Sequence, residues 1–292
     1  MNFPPSTAPK LSCRMIDAEL LPAAKAVLVE GFSGRSQRFW ARALDRLSQR
    51  QVPEGYPRYG YILMSGDTAV GCLLTIFSSV PGRDGPEVRC NFASFYTRPQ
   101  YRFYAALMTR RALKHPAATF LDITPRPDTL ELLQAEGYHR FCEGTLVLAA
   151  WLRTPAPGVE VVAFDPTSGS TPGLTDAEHQ LLADHAALGC VSLVCRSANG
   201  ASPFVFQHRQ VWKRMLPATH LIYCRNLDDF VENAGNLGRY LARKGALLTL
   251  VDCDDTAPRL TGLRLAMPKY FKGPVRPRLA DLSYTELPIL GI

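Results

Sequence analysis

The sequence predicts a mixed α/β protein with two mixed sheets flanked by helices, the second half being a divergent version of the first. Segments with apolar residues at helical spacing alternate with short apolar runs that turn residues delimit. The order of these segments in the first half is largely repeated in the second, although no residue-level repeat is visible. Of the 292 residues 47% are apolar and 20% charged, so a sizeable core is expected.

The first half begins with a Pro-rich segment, residues 1–10, which is expected to be a flexible tail. The turn residues Ser65, Gly66 and Asp67 predict a hairpin, and Gly137 is placed to end a helix. The predicted elements are a strand at Leu11–Met15, helices at 17–32 and 35–49, strands at 57–64, 68–77 and Val88–Tyr96 with a loop at Ser78–Pro86, a helix at 99–114, a strand at Thr119–Ile123, a helix at Pro127–Glu136 and a long strand at Tyr138–Leu152.

A Pro- and Gly-rich stretch at 153–159 is interpreted as a linker, so domains are predicted at 11–152 and 160–292. In the second domain Thr175 and Glu178 fit a capping box. Gly235 and Gly238 interrupt a helix, which indicates close packing or close approach of a ligand. The predicted elements are strands at Glu160–Phe164, 190–196, 203–207, 219–225, 246–252, 260–267 and 280–289, and helices at 175–188 and 227–244.

Composition argues against several classes of protein. No run approaches the ~18 apolar residues of a membrane-spanning helix, and no basic and then apolar leader stands at the start. A cytoplasmic protein without a membrane partner is therefore expected. The net charge of +7 is spread along the chain, so no nucleic-acid partner is expected. The eight cysteines show no zinc-finger spacing, so they are interpreted as reduced core residues and no metal site is predicted.

Three places resemble the GNAT superfamily of acyl-CoA-dependent N-acyltransferases, and the resemblance covers about residues 11–150. The first is Tyr96–Ala106, a strand end entering a helix, where the family has a Pro, an Arg and Gly-x-Gly. The second is the step from Leu121–Thr124 into the helix at Pro127–Glu136. The third is Glu136–Tyr138, which matches the Gly-Phe that family members place before their last strands.

The resemblance implies acetyl-CoA or another acyl-CoA as co-substrate, with its pyrophosphate at the start of the helix. A helix start offers unpaired N–H donors, which suit a phosphate, although an ordinary helix start is the alternative. Pro99 and Arg102 match the family, whereas Phe103 and Ala105 stand where it has glycines. The implied cofactor-binding residues are Tyr96, Thr97, Arg98, Arg102, Phe103, Tyr104, Ala105 and Ala106.

The residues for proton transfer follow less directly. Many family members place a Tyr four residues before the Gly of Gly-Phe, but this chain has Leu133 there, which cannot donate a proton. Asp122 and Thr124, at the carboxyl end of a predicted strand, are candidates to accept a proton from the amine, with a capping or turn role as the alternative. The tyrosines that are candidate proton donors, with core packing as the alternative, are Tyr138, Tyr96 and Tyr104.

A basic, aromatic and Pro-rich segment, Met267–Arg278, is expected to be a loop that clasps an anionic or sugar substrate, or else a solvated connector. Lys269 and Tyr270 are its candidate contacts. Tyr284 and Glu286 are expected to share one face of the strand at 280–289 and to point into the same cleft.

The resemblance therefore implies an N-acyltransferase that moves an acyl group, expected to be acetyl, from acyl-CoA to the amine of a small molecule or amino sugar. The transfer is expected to proceed by direct attack in a ternary complex. Two alternatives stay open at this point: a catalytically silent GNAT-fold binding module, and an aminoacyl or peptidyl transferase built from tandem GNAT domains.

Overall fold

The computed structural model describes residues 10–82, 85–167, 169–198, 200–211, 216–254 and 260–291. Apart from Lys10, the tail predicted at 1–10 lies outside these residues. Backbone contacts divide the chain into two compact units. The first comprises Met1–Asp122 with Ile289–Gly291, and the second comprises Ile123–Pro288.

The strands of the first unit lie side by side in chain order. All neighbours are antiparallel except the last two strands, which are parallel. The elements are β1 (Leu11–Met15), α1 (Leu21–Gly31), α2 (Gln37–Gln49), β2 (Gly60–Ser65), β3 (Thr68–Pro81), β4 (Pro86–Thr97), α3 (Ala106–Ala112) and β5 (Ala118–Asp122).

Local signals in the sequence explain most of these boundaries. Gly66 has a φ of +60°, which the tight turn between β2 and β3 requires. The Ser36 hydroxyl caps α2 by accepting a hydrogen bond from the Phe39 N–H at 3.1 Å. The prediction of a loop at Ser78–Pro86 is wrong for residues 78–81, because β3 continues to Pro81, which pairs with Pro86 of β4.

The second unit contributes nine strands and three α-helices among the described residues. The elements are α4 (Leu130–Ala135), β6 (His139–Cys142), β7 (Gly144–Leu148), β8 (Glu160–Ala163), α5 (Asp176–Ala187), β9 (Val191–Ser197), β10 (Gly200–Val211), β11 (Leu216–Cys224), α6 (Leu227–Arg243), β12 (Leu248–Cys253), β13 (Leu263–Leu265) and β14 (Lys269–Lys272). Seven of the strands form one sheet in the order β13-β7-β12-β11-β10-β9-β8, with β11 and β12 parallel, and β6 pairs with β14.

The long strand predicted at Tyr138–Leu152 is in fact two strands, because Glu143 interrupts the strand conformation between β6 and β7. β7 then pairs with β12 and β13, both from the later part of the chain. The division of backbone contacts therefore does not coincide with the linker predicted at 153–159, which stays a prediction together with the domains it separates.

Two further expectations are wrong. The segment Met267–Arg278 is not a loop throughout, because its residues Lys269–Lys272 form β14. The strand predicted at 280–289 is absent, because Ala280 and Tyr284 have φ values of 53° and 55°, which extended backbone does not adopt. The face that Tyr284 and Glu286 were expected to share therefore does not exist.

The predicted fold class is confirmed: two mixed sheets carry helices on their faces. In the second unit the amphipathic helix α6 buries Phe230, Leu237 and Leu241 in a core that β10, β11 and β12 also line. Among the described residues, every helix is too short or too polar to span a membrane.

Candidate functional site

The parallel strands β4 and β5 diverge inside the first unit. Their ladder runs from Val88 opposite Ala118 to Asn91 opposite Leu121. Beyond Asn91, the stretch 92–97 of β4 keeps β3 as its ladder partner among the described residues. Among the described residues, no strand pairs with the edge of this stretch that points away from β3. We call this divergence of β4 and β5 the first fork.

A buried amide side chain stands where the two strands part. The Nδ2 of Asn91 donates to the Leu121 carbonyl at 3.3 Å and to the Phe92 carbonyl at 3.0 Å. Asn91 is only 2% exposed, so these bonds satisfy its buried polar group while they bridge the strands. Sequence reasoning missed this residue, although a lone Asn within an apolar run was a usable signal.

A β-bulge lies on β4 at the first fork. Phe95 pairs with Leu73 and Ala93 pairs with Leu74, so Ser94 has no residue opposite it. Its φ of 53° is uncommon for a residue other than glycine and costs on the order of 1 kcal/mol. Bulges redirect the main chain locally, so this one turns backbone groups of β4 out of the regular ladder.

The end of β4 is fastened to α1 through Glu30. The guanidinium of Arg98 binds this carboxylate at 2.8–3.1 Å, and the Tyr96 hydroxyl donates to it at 3.3 Å. The hydrogen bond from Arg98 lowers the pKa of Glu30, and burial raises the pKa of Tyr96. A Cβ added to Gly31 would collide with the Tyr96 ring. Arg98 and Tyr96, both predicted to bind cofactor, thus also hold α1 against β4.

The helix predicted at 99–114 begins as a 3-10 turn at Pro99–Tyr104 and becomes α3 at Ala106. The N–H of Tyr101 donates to the Arg98 carbonyl at 2.9 Å, and the N–H of Ala105 donates to the Arg102 carbonyl at 3.1 Å. These bonds are the i to i+3 bonds of a 3-10 turn. The N–H of Ala105, expected to face a phosphate, is therefore already used within the turn.

The other predicted cofactor residues lie along the same stretch. Arg102, Phe103 and Tyr104 are exposed, and Phe103 is 96% exposed. The Thr97 hydroxyl is buried and has no hydrogen-bond partner among the described residues. Ala106 is the first residue of α3.

The predicted catalytic residues fall in both units. Asp122 is the half-buried last residue of β5 and follows Leu121, where the first fork opens. Thr124 lies in the second unit, where its hydroxyl donates to Glu286 Oε1 at 2.6 Å. Tyr138, also in the second unit, is buried, and the Lys272 ammonium lies 5.9 Å from the centre of its ring.

The predicted substrate residues lie in the second unit and are buried or half-buried. Lys269 is 1% exposed, and its ammonium lies 2.7 Å from Asp252 Oδ1. Tyr270 is fully buried, and its hydroxyl accepts hydrogen bonds from Arg140 at 3.2 and 3.3 Å.

Tyr284, the third predicted substrate residue, belongs to a hydrogen-bonded pair with α5. Its hydroxyl donates to Asp184 Oδ2 at 2.7 Å, and burial raises its pKa. Glu286, the fourth predicted substrate residue, is hydrogen-bonded to Thr124, whereas Tyr284 is hydrogen-bonded to Asp184 of α5. The two side chains therefore have different partners.

The second unit repeats the parallel pair in β11 and β12, which pair from Ala218 opposite Leu248 to His220 opposite Leu250. We call the place where they diverge the second fork. Here the rest of β11 is covered, because residues 280–282 run antiparallel to it. The Leu282 N–H donates to the Ile222 carbonyl at 2.8 Å, and the Cys224 N–H donates to the Ala280 carbonyl at 3.0 Å. The chain itself therefore supplies the added strand.

The helix that follows β11 is also unsuited to an anion. Asn226 caps α6 by accepting a hydrogen bond from the Asp229 N–H at 2.7 Å, and Asp228 adds a second carboxylate to the first turn. Two cations lie near this helix start and both are paired: Arg225 binds Glu178 at 2.8 Å, and Arg278 binds Asp281 at 3.2 Å. Two carboxylates at this helix start would repel a pyrophosphate.

Solved structures share this fold. A GCN5-related N-acetyltransferase from Anabaena variabilis has 9% identity and a TM-score of 0.61, covering 90% of this chain and 72% of that one. A putative acetyltransferase from Pyrococcus horikoshii has 10% identity and a TM-score of 0.54, covering 94% and 93%. A glucosamine N-acetyltransferase region of a fungal multi-domain β-N-acetylglucosaminidase has 10% identity and a TM-score of 0.56, covering 92% and 38%.

These likenesses show that the chain has the GNAT fold, as its sequence motifs predicted. At the level of sequence, neither family models nor curated proteins give a match.

Proposed function

We propose that the protein is an N-acyltransferase that holds an acyl-CoA thioester in the first fork and transfers the acyl group to an amine. The observation that carries this proposal is the uncovered edge of β4 at 92–97, beside the Ser94 bulge, in a chain with the GNAT fold. The pantetheine arm of coenzyme A contains amide groups. Such an arm can add to a strand edge through main-chain hydrogen bonds, as an extended peptide does.

The difference between the two forks supports the first unit as the half that does the chemistry. Residues 280–282 already cover β11, whereas β4 has no such cover among the described residues. The charges agree with this choice. Residues 98–114, after β4, contain no acidic residue, whereas Asp228 and Asp229 follow Arg225 after β11.

In the proposed reaction the amine nitrogen attacks the thioester carbonyl carbon. A C–N bond forms, the C–S bond breaks, the amine loses a proton to a base, and the thiolate gains a proton to leave as a thiol. We assign the base to Asp122, because it ends β5 where the first fork opens. We assign the proton donor to Tyr96, because it lies on the same stretch of β4 and a phenol carries a proton at neutral pH. The role of Tyr138 as donor stays a prediction.

Negative charge develops on the carbonyl oxygen as the amine attacks, and a preorganised N–H lowers the barrier by binding it. Ser94 is our candidate for this donor, because the bulge takes its backbone out of the ladder with β3. The acceptor is proposed to be a small-molecule amine or an amino sugar. The absence of nucleic-acid and membrane partners and the cytoplasmic location also stay predictions.

Binding is tested first, by calorimetry with acetyl-CoA and longer acyl-CoAs. We expect Arg102→Glu to weaken binding at least about ten-fold, because it replaces a cation beside the proposed pyrophosphate site with an anion. Arg38→Glu makes the same change at an exposed position on α2 and should bind as the wild type does. Equal affinities in the Arg102→Glu and wild-type proteins would overturn the proposed site.

Turnover is then followed by thiol release with a panel of amines that includes glucosamine. Asp122→Asn should retain acyl-CoA binding and lose most of the release, because an amide cannot accept the proton. The second candidate function is a silent binding module, which the side chains at Phe103 and Ala105 and the occupied N–H of Ala105 favour. Binding of acyl-CoA without thiol release from any amine would support that module.

A further inference from the structure

An exposed apolar and basic surface follows β4. Phe103 is 96% exposed, Tyr104 is 45% exposed and Leu107 is 39% exposed. Phe95, on the uncovered stretch of β4, is 43% exposed. Large apolar side chains that are exposed as a group mark a contact surface more often than single ones do. The group therefore needs an explanation that the transfer reaction itself does not supply.

The same segment is strongly basic. Residues 102–114 contain no acidic residue. Leu107 and Arg111 lie four apart on α3 and therefore share one of its faces, and Phe103 lies in the 3-10 turn that leads into this helix. The residues of this surface, which we call the Phe103 surface, are Arg102, Phe103, Tyr104, Leu107, Arg110, Arg111 and Lys114.

We propose that the Phe103 surface docks an acidic acyl carrier protein, which delivers its acyl group into the first fork. This inference rests on the proposed function, because the thioester must still enter between β4 and β5. Coenzyme A and a carrier protein present the same phosphopantetheine arm and differ in what the arm is attached to. The surface beside the fork therefore decides which donor is preferred.

Two groups of the turn after β4 that were expected to bind a nucleotide already have partners within the protein. Arg98 is bound to Glu30, and the N–H of Ala105 is bound to the Arg102 carbonyl. Phe103 adds bulk where a glycine would let a phosphate approach the backbone. An acidic protein needs no such approach, because it can pair its carboxylates with exposed Arg and Lys side chains and cover Phe103 and Leu107.

The location distinguishes this partner from other anionic ones. Phe95 lies on the same stretch of β4 that the arm would pair with, and Arg102 and Phe103 follow within the next turn. A docked carrier would thus place its arm at the fork. The transfer keeps the same balance as with coenzyme A: the C–S bond breaks, the C–N bond forms, and the carrier leaves with its arm as a free thiol.

The test compares four probes with the full-length protein by calorimetry. They are an acyl-CoA, the same acyl group on an acidic carrier protein of fatty-acid synthesis, that carrier without its arm, and acyl-pantetheine. We expect the acyl-carrier to bind at least about ten-fold more tightly than acyl-CoA and to weaken between about 50 and about 200 mM salt. Removal of the arm should weaken the carrier but leave measurable binding.

Phe103→Ala separates the two donors, because it removes the ring and keeps every backbone N–H. It should weaken carrier binding about ten-fold or more and leave acyl-pantetheine binding unchanged. Leu132→Ala, at an exposed leucine of α4 in the second unit, is the matched control and should bind all probes as the wild type does.

Four results would overturn the proposal. Equal carrier affinities in the wild-type and Phe103→Ala proteins would remove the surface from recognition. Binding of phosphatidylglycerol vesicles that depends on Phe103, without carrier binding, would assign the surface to a membrane instead. Binding of acyl-CoA without any carrier binding would overturn this inference and leave the proposed function in place, whereas failure of all four probes would overturn both.

Discussion

The backbone N–H of Leu282 donates a hydrogen bond to the carbonyl of Ile222, with 2.8 Å between the two atoms. This bond helps to close the second fork with the protein's own chain. In the first fork the corresponding edge of β4, at 92–97, has no such partner among the described residues. The same arrangement of parallel strands is thus completed internally in one half and left available in the other.

Hydrogen exchange measured by mass spectrometry tests this difference directly. Saturating acyl-CoA should slow amide exchange in peptides that cover 92–106, because ligand bonds would protect an otherwise exposed strand edge. Peptides that cover 220–226 and 280–283 should exchange at the same rate with and without the ligand. Slower exchange in the second set of peptides, with no change in the first, would show that acyl-CoA binds the second unit and not the first.

Local signals account for what the sequence predicted well. A Gly at the tip of a hairpin and a capping side chain at the start of a helix determine the conformation of only a few neighbouring residues. Such turns and helix starts can therefore be predicted without knowledge of the fold. The capping box at Thr175 and Glu178 is confirmed, with the Glu178 N–H donating to Thr175 Oγ1 at 3.2 Å. The GNAT motifs predicted the fold in the same way, because they lie in contiguous stretches.

Long-range pairing explains what the sequence could not predict. Pro268, Gly273 and Pro274 flank Lys269–Lys272 and indicated a loop, yet those four residues form β14 against β6. Residues 280–282 lie against β11 without forming a regular strand, and no local pattern marks such a pairing. For the same reason the burial of Lys269 and Tyr270 could not be predicted, because it depends on contacts between distant parts of the chain. Their role in substrate binding stays a prediction.

Two glycines of α6 should be essential to packing. A Cβ on Gly235 would lie 2.6 Å from the Thr154 carbonyl oxygen, and one on Gly238 would collide with the backbone of Ala150 and Trp151. The close-packing interpretation of these glycines is therefore confirmed. Gly→Ala inside a helix normally stabilises by about 1 kcal/mol, but here backbone would have to move.

We expect Gly238→Ala to lower the free energy of unfolding by about 1–3 kcal/mol in urea titrations. Gly34→Ala is the control, because nothing lies within 4 Å of the added Cβ, and it should change stability by less than about 0.5 kcal/mol. A stabilised Gly238→Ala protein would show that the helix can move away from the residues at 150–155.

A buried ion pair in the second unit should contribute strongly to stability. Asp252 Oδ1 lies 2.7 Å from the Lys269 ammonium and accepts from Thr145 Oγ1 at 3.1 Å, with His220 Nε2 3.3 Å away. All four side chains are at most 3% exposed. Burial by itself raises the pKa of Asp252, but Lys269 and His220 outweigh it and hold that pKa well below its usual range.

Lys269→Met should therefore lower the free energy of unfolding by about 3–5 kcal/mol, because it leaves the Asp252 carboxylate buried without its counter-ion. The double variant with Asp252→Asn should lose less than the sum of the two single losses, because no lone charge remains. Urea titrations of the wild type, the two single variants and the double variant give the coupling energy between Lys269 and Asp252. Losses that simply add would show that the two side chains do not interact.

The neutral form of His185 should make stability depend on pH. The ring is fully buried; its Nδ1 lies 2.8 Å from the Leu181 carbonyl, and its Nε2 lies 3.3 Å from the Tyr284 N–H, which donates to it. Burial lowers the pKa of His185, although the nearby carboxylates of Asp184 and Asp281 act in the opposite direction. The unfolded chain therefore takes up this proton at a higher pH than the folded protein does.

The stabilising contribution of His185 is consequently complete above the unfolded pKa of about 6.5 and is lost as the pH falls towards the lower folded value. The urea midpoint should fall between pH 7 and pH 5, and it should fall less in His185→Gln, which has no titrating ring. His208→Gln, at an exposed position on β10, should keep the wild-type profile. Because His220 is buried and its pKa is also lowered, some pH dependence should remain in His185→Gln. An unchanged slope in that variant would mean that His185 is protonated in the folded protein, with its Nε2 no longer accepting from Tyr284.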